Sequence, residues 1–190
     1  SPIVSTDSLD NTTILDSSSS SHTITTSGNA TQTGFSPFRA GGYSTYFGGS
    51  DYLTIADTPS LELGSSSFTI EAYFWVPSTS GIQVILSKWL ASSYPVLFYM
   101  SNGTAYFAIN NSLYGSGGTV VANQWNHLAL TRNGNDWNLW LNGTSVYNTT
   151  NSITVADDGT TWNIGRNPDS GGVQYLTGYI SDLRVVIGTA

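Results

Sequence analysis

The chain has 190 residues and a formal net charge of −7, from 12 acidic and 5 basic side chains. Ser, Thr, Asn and Gly occupy 87 positions against one Lys, two Glu and one Met, so strong helix formers are scarce while Thr and aromatic residues are plentiful. This excludes a mostly helical protein, and a hydrophobic content of 39% with 13% aromatics excludes a disordered chain. The basic residues, Arg39, Lys88, Arg132, Arg166 and Arg184, form no cluster able to neutralise a run of phosphates, which argues against nucleic acid and anionic membrane surfaces as partners. No window approaches the ~18 apolar residues of a membrane-spanning helix. The absence of Cys excludes disulfides, thiol catalysis and zinc sites built on thiolates.

In chain order, residues 1–40 are polar, with a serine run from Ser17 to Ser21. Ile14-Leu15 and His22-Thr23-Ile24-Thr25 read as short strands that a larger sheet would recruit. From Tyr43 onward strand patterns follow at short, regular spacing: Tyr43 to Phe47, Tyr52 to Ile55, Phe68 to Val76, Ile82 to Trp89, Val96 to Met100 and Thr104 to Ile109. Then come Asn126 to Arg132, Asp136 to Leu141, Thr161 to Ile164, and Val173 to Ile187 broken at Gly178. Asn102-Gly103, Asn133-Gly134 and Asn142-Gly143 are hairpin turns, because Asn-Gly accepts positive φ at both central positions. Phe68, Ile70, Ala72, Phe74 and Val76 share one face of their strand, and Thr69, Glu71, Tyr73 and Trp75 share the other. Leu128 and Leu130, and Trp137, Leu139 and Leu141, repeat this one-sided pattern. The fold expected is all-β, a single domain over residues 1–190 of two packed antiparallel sheets, with residues 1–40 packing onto the sandwich.

Several segments carry a family resemblance. Trp125-Asn126-His127-Leu128-Ala129-Leu130-Thr131-Arg132 followed by Trp137-Asn138-Leu139-Trp140-Leu141-Asn142-Gly143 resembles the W-x-H-x-A-x-T-R…L-x-V-D-G hairpin of laminin-G-like domains. Phe68-Thr69-Ile70-Glu71 with Trp75, and Gly178-Tyr179-Ile180-Ser181-Asp182-Leu183-Arg184-Val185, resemble two further motifs of that family. Phe47-Gly48-Gly49-Ser50-Asp51-Tyr52-Leu53 resembles its strand entry F-D-G-S-G-D-Y-L, lacking the first Asp and one residue of length. The stretch from Asn11 to Phe38 resembles the variant found in tail and virion-surface proteins of marine bacteriophages. The resemblance implies a concanavalin A-like jelly roll, a fold shared by lectin modules, protein-binding modules and glucanases, so function must come from the site.

Retaining glycosidases need two carboxylates about 5–5.5 Å apart, which an E-x-D-x-E strand supplies. Here the glutamates are Glu62 and Glu71, and the same-face neighbours of Glu71 are Thr69 and Tyr73. Glu71 therefore reads as a structural acceptor, and the chain as no enzyme. The two histidines, His22 and His127, come with no nucleophile elbow to build a serine triad. Calcium is the one cofactor suggested, since the resemblance implies sites between loops at the sheet rim. Its candidate ligands are Asp157 and Asp158 before Gly159, with Asn167 and Asp169 in the following loop, although both loops are also ordinary turn sequences. Sugar binding would use flat rings among small polar residues. The candidates are Trp89 and Tyr94 in one loop, Tyr114, and Tyr99 with Trp140, set against the alternative that these rings fill the core.

Two functions fit. One is a non-catalytic, extracellular recognition module on a virion or bacterial cell surface, binding glycan or another host-surface receptor through rim loops. The other is a structural decoration or assembly module that contacts virion or cell-surface subunits, or a second copy through a longer parent protein. The ending Gly188-Thr189-Ala190, directly after an apolar strand, predicts such a parent.

Overall fold

The computed structural model describes residues 13–38, 42–90, 93–169 and 172–190. The strands begin with β1 (Ile24–Ser27), β2 (Thr31–Thr33), β3 (Ser44–Gly48), β4 (Tyr52–Ile55) and β5 (Phe68–Trp75). They continue with β6 (Ile82–Leu90), β7 (Ser93–Ser101), β8 (Thr104–Ile109), β9 (Leu113–Thr119), β10 (Trp125–Asn133) and β11 (Asp136–Leu141). The last are β12 (Thr144–Thr150), β13 (Trp162–Ile164), β14 (Arg166–Asn167), β15 (Gln174–Tyr175) and β16 (Thr177–Ile187). Two seven-stranded antiparallel sheets result, a front sheet in the order β1-β4-β13-β6-β7-β8-β9 and a back sheet in the order β12-β11-β10-β5-β16-β3-β2. The small β14–β15 hairpin stands apart from both. The all-β sandwich expected from the alternation is the observed architecture.

The core is the pair of inner faces. Phe68, Ile70, Ala72, Phe74 and Val76 are buried from the back sheet, together with Leu128, Leu130, Trp137, Leu139 and Leu141. Leu53, Leu86, Val96, Phe98, Met100, Phe107, Trp162 and Ile164 meet them from the front. Phe107 lies parallel to Trp137 at 6.2 Å between ring centroids, joining the two sheets. The outer faces alternate with these residues, as period 2 requires.

The structure departs from the sequence expectations at definite places. Ile14 and Leu15 are not in a strand. The Asp16 carboxylate accepts the backbone N–H of Ser18 and of His22, which winds the serine run into a turn and delays β1 to Ile24. The break expected at Gly178 falls at Leu176 instead, because Gln174 and Tyr175 pair with Arg166 and Asn167. Gly178 is an interior residue of β16, where a Cβ would lie 2.0 Å from the carbonyl oxygen of Trp75, so only glycine fits between these strands. Strand β9, glycine-rich and with little intrinsic strand propensity, was not anticipated. Its Gly115 lets the front sheet close onto Phe107 and Tyr147, where a Cβ would meet the Phe107 ring at 2.2 Å. Strands β2, β12 and β14 are likewise additions to the sequence reading.

Candidate functional site

Glu71 stands midway along β5 on the outer face of the back sheet, and partners hold both its oxygens. His127 Nε2 lies 3.0 Å from Oε2, and Arg184 donates to Oε1 at 2.9 Å. Arg184 also reaches Asp182 at 3.4 Å. These contacts tie β5 to β10 and β16, in keeping with the reading of Glu71 as a structural acceptor. Trp140 shares this outer face on β11, donating from Nε1 to Thr131 Oγ1 at 3.1 Å. Further along the face Phe35 packs on Trp75, Trp125 and Tyr179 with ring centroids 4.8–5.6 Å apart.

The other four aromatic candidates gather on the outer face of the front sheet. Trp89 at the end of β6 stacks on Tyr94 of β7, 4.7 Å between centroids and 15° from parallel. The Tyr94 hydroxyl is 2.7 Å from that of Tyr114 on β9. Burial pushes the Tyr94 phenol up to about 12, helped by the hydrogen bond with Tyr114, so it stays protonated through the neutral range. Tyr99 stacks on Tyr106 at 5.1 Å and 17°. Beneath Tyr94 and Tyr99 lies a second small apolar cluster, Val84, Leu97 and Ala108. These rings sit mainly on strands rather than in the rim loops expected, because β7 and β9 extend through positions read as loop. Trp140 does not join them, being on the opposite sheet.

Beside Trp89 opens a pocket of about 450 Å³ lined by Tyr52, Thr54, Trp89, Thr161, Asn163 and Arg166, among others. Gly165, at φ 77°, turns the chain out of β13, so that β14 passes over the outer face. There Ser87 donates its hydroxyl to the Arg166 carbonyl at 2.8 Å. The Arg166 guanidinium lies 3.6 Å from the Tyr52 ring centroid and donates to Asn163 Oδ1 at 2.9 Å. Its Nε and the Trp89 Nε1 are buried without a hydrogen-bond partner. Sequence reading missed Tyr52, Tyr106, Asn163 and Arg166. The one available signal for Arg166 was its place in a loop already suspected of ligand contacts.

The four suspected calcium ligands are spread over separate hydrogen bonds. Asp157 pairs with Lys88 at 2.7 Å, and Asp158 Oδ1 caps its own turn by accepting from Thr160 N and Oγ1. Asn167 Nδ2 donates to Gln174 Oε1, while Asp169 accepts the Gly172 N–H at its carbonyl. Among the described residues no three His, Asp or Glu side chains come together as a cation site, and calcium wants six to eight oxygens. Asp158 Oδ2 and Asn167 Oδ1 are nonetheless buried without a hydrogen-bond partner.

Two packed antiparallel sheets presenting an aromatic, polar outer face make this a jelly-roll sandwich. Residues 47–188 match the model of the concanavalin A-like lectin/glucanases superfamily, and the chain belongs to that family. No curated protein matches it. Similar solved structures include the binding domain of Paraclostridial Mosquitocidal Protein 1, at TM-score 0.71 and 13% identity, covering 94% of this chain and 47% of that one. The receptor binding domain of botulinum neurotoxin D gives 0.68 and 12%, covering 95% and 48%. Domain 4 of AbnA, an extracellular arabinanase from Geobacillus stearothermophilus in complex with arabinotriose, gives 0.66 and 15%, covering 88% and 82%. The chain spans about half the length of the toxin binding domains it resembles.

Proposed function

We propose that the chain is a non-catalytic recognition module of a virion or cell surface that binds a saccharide on the outer face of its front sheet. The observation that carries this reading is the row Trp89, Tyr94 and Tyr114 adjoining the polar pocket of Tyr52, Asn163 and Arg166. Flat rings stack on the apolar face of a pyranose while amide, hydroxyl and guanidinium groups bond its edge. The similar domain of the arabinanase was crystallised with arabinotriose, and another similar structure concerns cell entry of botulinum neurotoxin type C through two ganglioside molecules. Both lend the reading support.

The test is a glycan array followed by calorimetric titration of the best ligand. Tyr114→Ala is expected to weaken binding about tenfold, near 1.4 kcal/mol, because a stacking ring is worth on the order of 0.5–1.5 kcal/mol and the change also removes the Tyr94 hydroxyl's partner. Since Tyr114 is 49% exposed, its loss should leave the melting temperature within a few degrees of wild type. An array with no bound glycan would sink the reading. Repeating the titration and the melt in calcium and in EDTA tests the calcium expected from the sequence, and equal values in both would remove it.

A structural module contacting other surface subunits is the second reading. It is favoured by the exposed rings Phe35, Phe38 and Tyr46 around the aromatic cluster of the back sheet. A negative array together with stable incorporation into particles would establish it in place of the first.

A further inference from the structure

Resting on that saccharide reading, we infer that the sugar carries an acidic group, a carboxylate or a sulfate, and that Arg166 reads it. The argument begins with the fate of the cations. Lys88 is held between Asp57 and Asp157, each at 2.7 Å, and Arg184 between Glu71 and Asp182. Arg132 is 1% exposed and donates to the carbonyls of Gly134 and Gly64 beneath the face of Trp137. Each of these three has a complete structural assignment.

Arg166 does not. Among the described residues it forms no ion pair, although the chain holds 12 acidic side chains against 5 basic ones. Its guanidinium has one hydrogen bond, to Asn163, and one ring face, Tyr52, while its Nε is buried without a partner. Arg166 is half-buried and lines the pocket, so its charge is held at the site with a ring face and one amide as partners and no anion. The pocket is also lined by the Trp89 side chain and by Asn163. A pocket lined by a guanidinium that no acidic side chain of the described residues answers suits an oxyanion with several acceptor lone pairs. The planar fork of arginine suits carboxylate and sulfate alike, and Asn163 with Tyr52 fixes the plane in which it is offered. Trp89, shared by the pocket and the stacked rings, would place the sugar ring over the aromatics with its acidic substituent toward Arg166. The net charge of −7 would repel a dense polyanion, but screening over about 8 Å at physiological ionic strength leaves contact with a single acidic residue open.

The experiment is an array displaying uronate-, sialate- and sulfate-bearing glycans beside neutral glycans of the same backbones, probed with wild type, Arg166→Gln and Arg166→Lys. Wild type is expected to bind acidic members at least tenfold more tightly than their neutral counterparts. Arg166→Gln should abolish that preference, and Arg166→Lys should retain a reduced one, since it keeps the charge but loses the fork. The carboxylated and sulfated arms show which group is read. Equal or stronger binding of neutral glycans by wild type would overturn the inference while leaving saccharide binding standing, and it needs no variant to fold. An unchanged acidic preference in a folded Arg166→Gln protein would also overturn it. An array on which wild type binds nothing would remove the saccharide reading, and this inference with it.

Discussion

Replacing Trp137 by Ala is expected to destabilise the domain by about 3–5 kcal/mol, the range for removing a large buried ring. At roughly 2–4 °C per kcal/mol for a domain of this size, the melting temperature should fall by about 6–20 °C. Trp137 is 0% exposed and bridges the sheets, edge-on to Phe68 and parallel to Phe107. Its Nε1 donates to the Asn151 carbonyl at 2.9 Å, and Arg132 lies 4.9 Å over its ring. The substitution therefore opens a cavity, orphans a carbonyl and bares a buried cation together. Differential scanning calorimetry on Trp137→Ala and Trp137→Phe decides it. The Phe variant should recover much of the loss, and a drop below about 3 °C for Ala would mean that the two sheets do not depend on this contact.

Lys88→Met should cost about 3 kcal/mol at neutral pH, the lower end for breaking a buried ion pair, because both carboxylate partners keep some contact with water. The Lys88 side chain is 3% exposed and, among the described residues, is the sole cation pairing with both Asp57 and Asp157. Burial opposes its charge, but hydrogen bonds to Asp157 and Asp57 outweigh this and hold its ammonium above the ordinary 10.5. The hydrogen bond from Lys88, with the Gly159 N–H, holds Asp157 below the ordinary 3.8. A depressed carboxyl contributes stability that is present above 3.8 and is lost as the pH falls through its lower folded value. A raised ammonium contributes below 10.5 and is lost as the pH rises beyond it. The gap in melting temperature between wild type and Lys88→Met should thus be level from about pH 5 to 10 and narrow both below pH 3.8 and above 10.5. A gap unchanged at pH 2.5 would mean that the lost stability comes from packing rather than charge.

How much of this was legible in advance follows from the range of the interactions involved. Strands β4, β8 and β11 run as the alternation of their side chains indicated, and the apolar face of β5 is the buried one. Period-2 patterning and Asn-Gly turns are local signals, so they survive being read without neighbours. Strand β9 was invisible because its glycines answer to Phe107 and Tyr147, residues distant in sequence. Ile14 and Leu15 looked extended until Asp16 was seen to gather the serine run around its carboxylate.

The site divides the same way. The sequence alone determined an all-β sandwich, showed the scarcity of cations, and marked Trp89, Tyr94, Tyr99 and Tyr114 as rings set among small polar residues. It could not place them, since a ring on a strand reads the same whether its face is core or surface. Tertiary structure decided that these four lie on one outer face and Trp140 on the other. It paired Asp157 with Lys88, and folded β14 back so that Arg166 covers Tyr52. Each decision depends on which strands become neighbours, and strand order is set by burying two whole sheet faces against each other, a sum over the chain that no single segment carries.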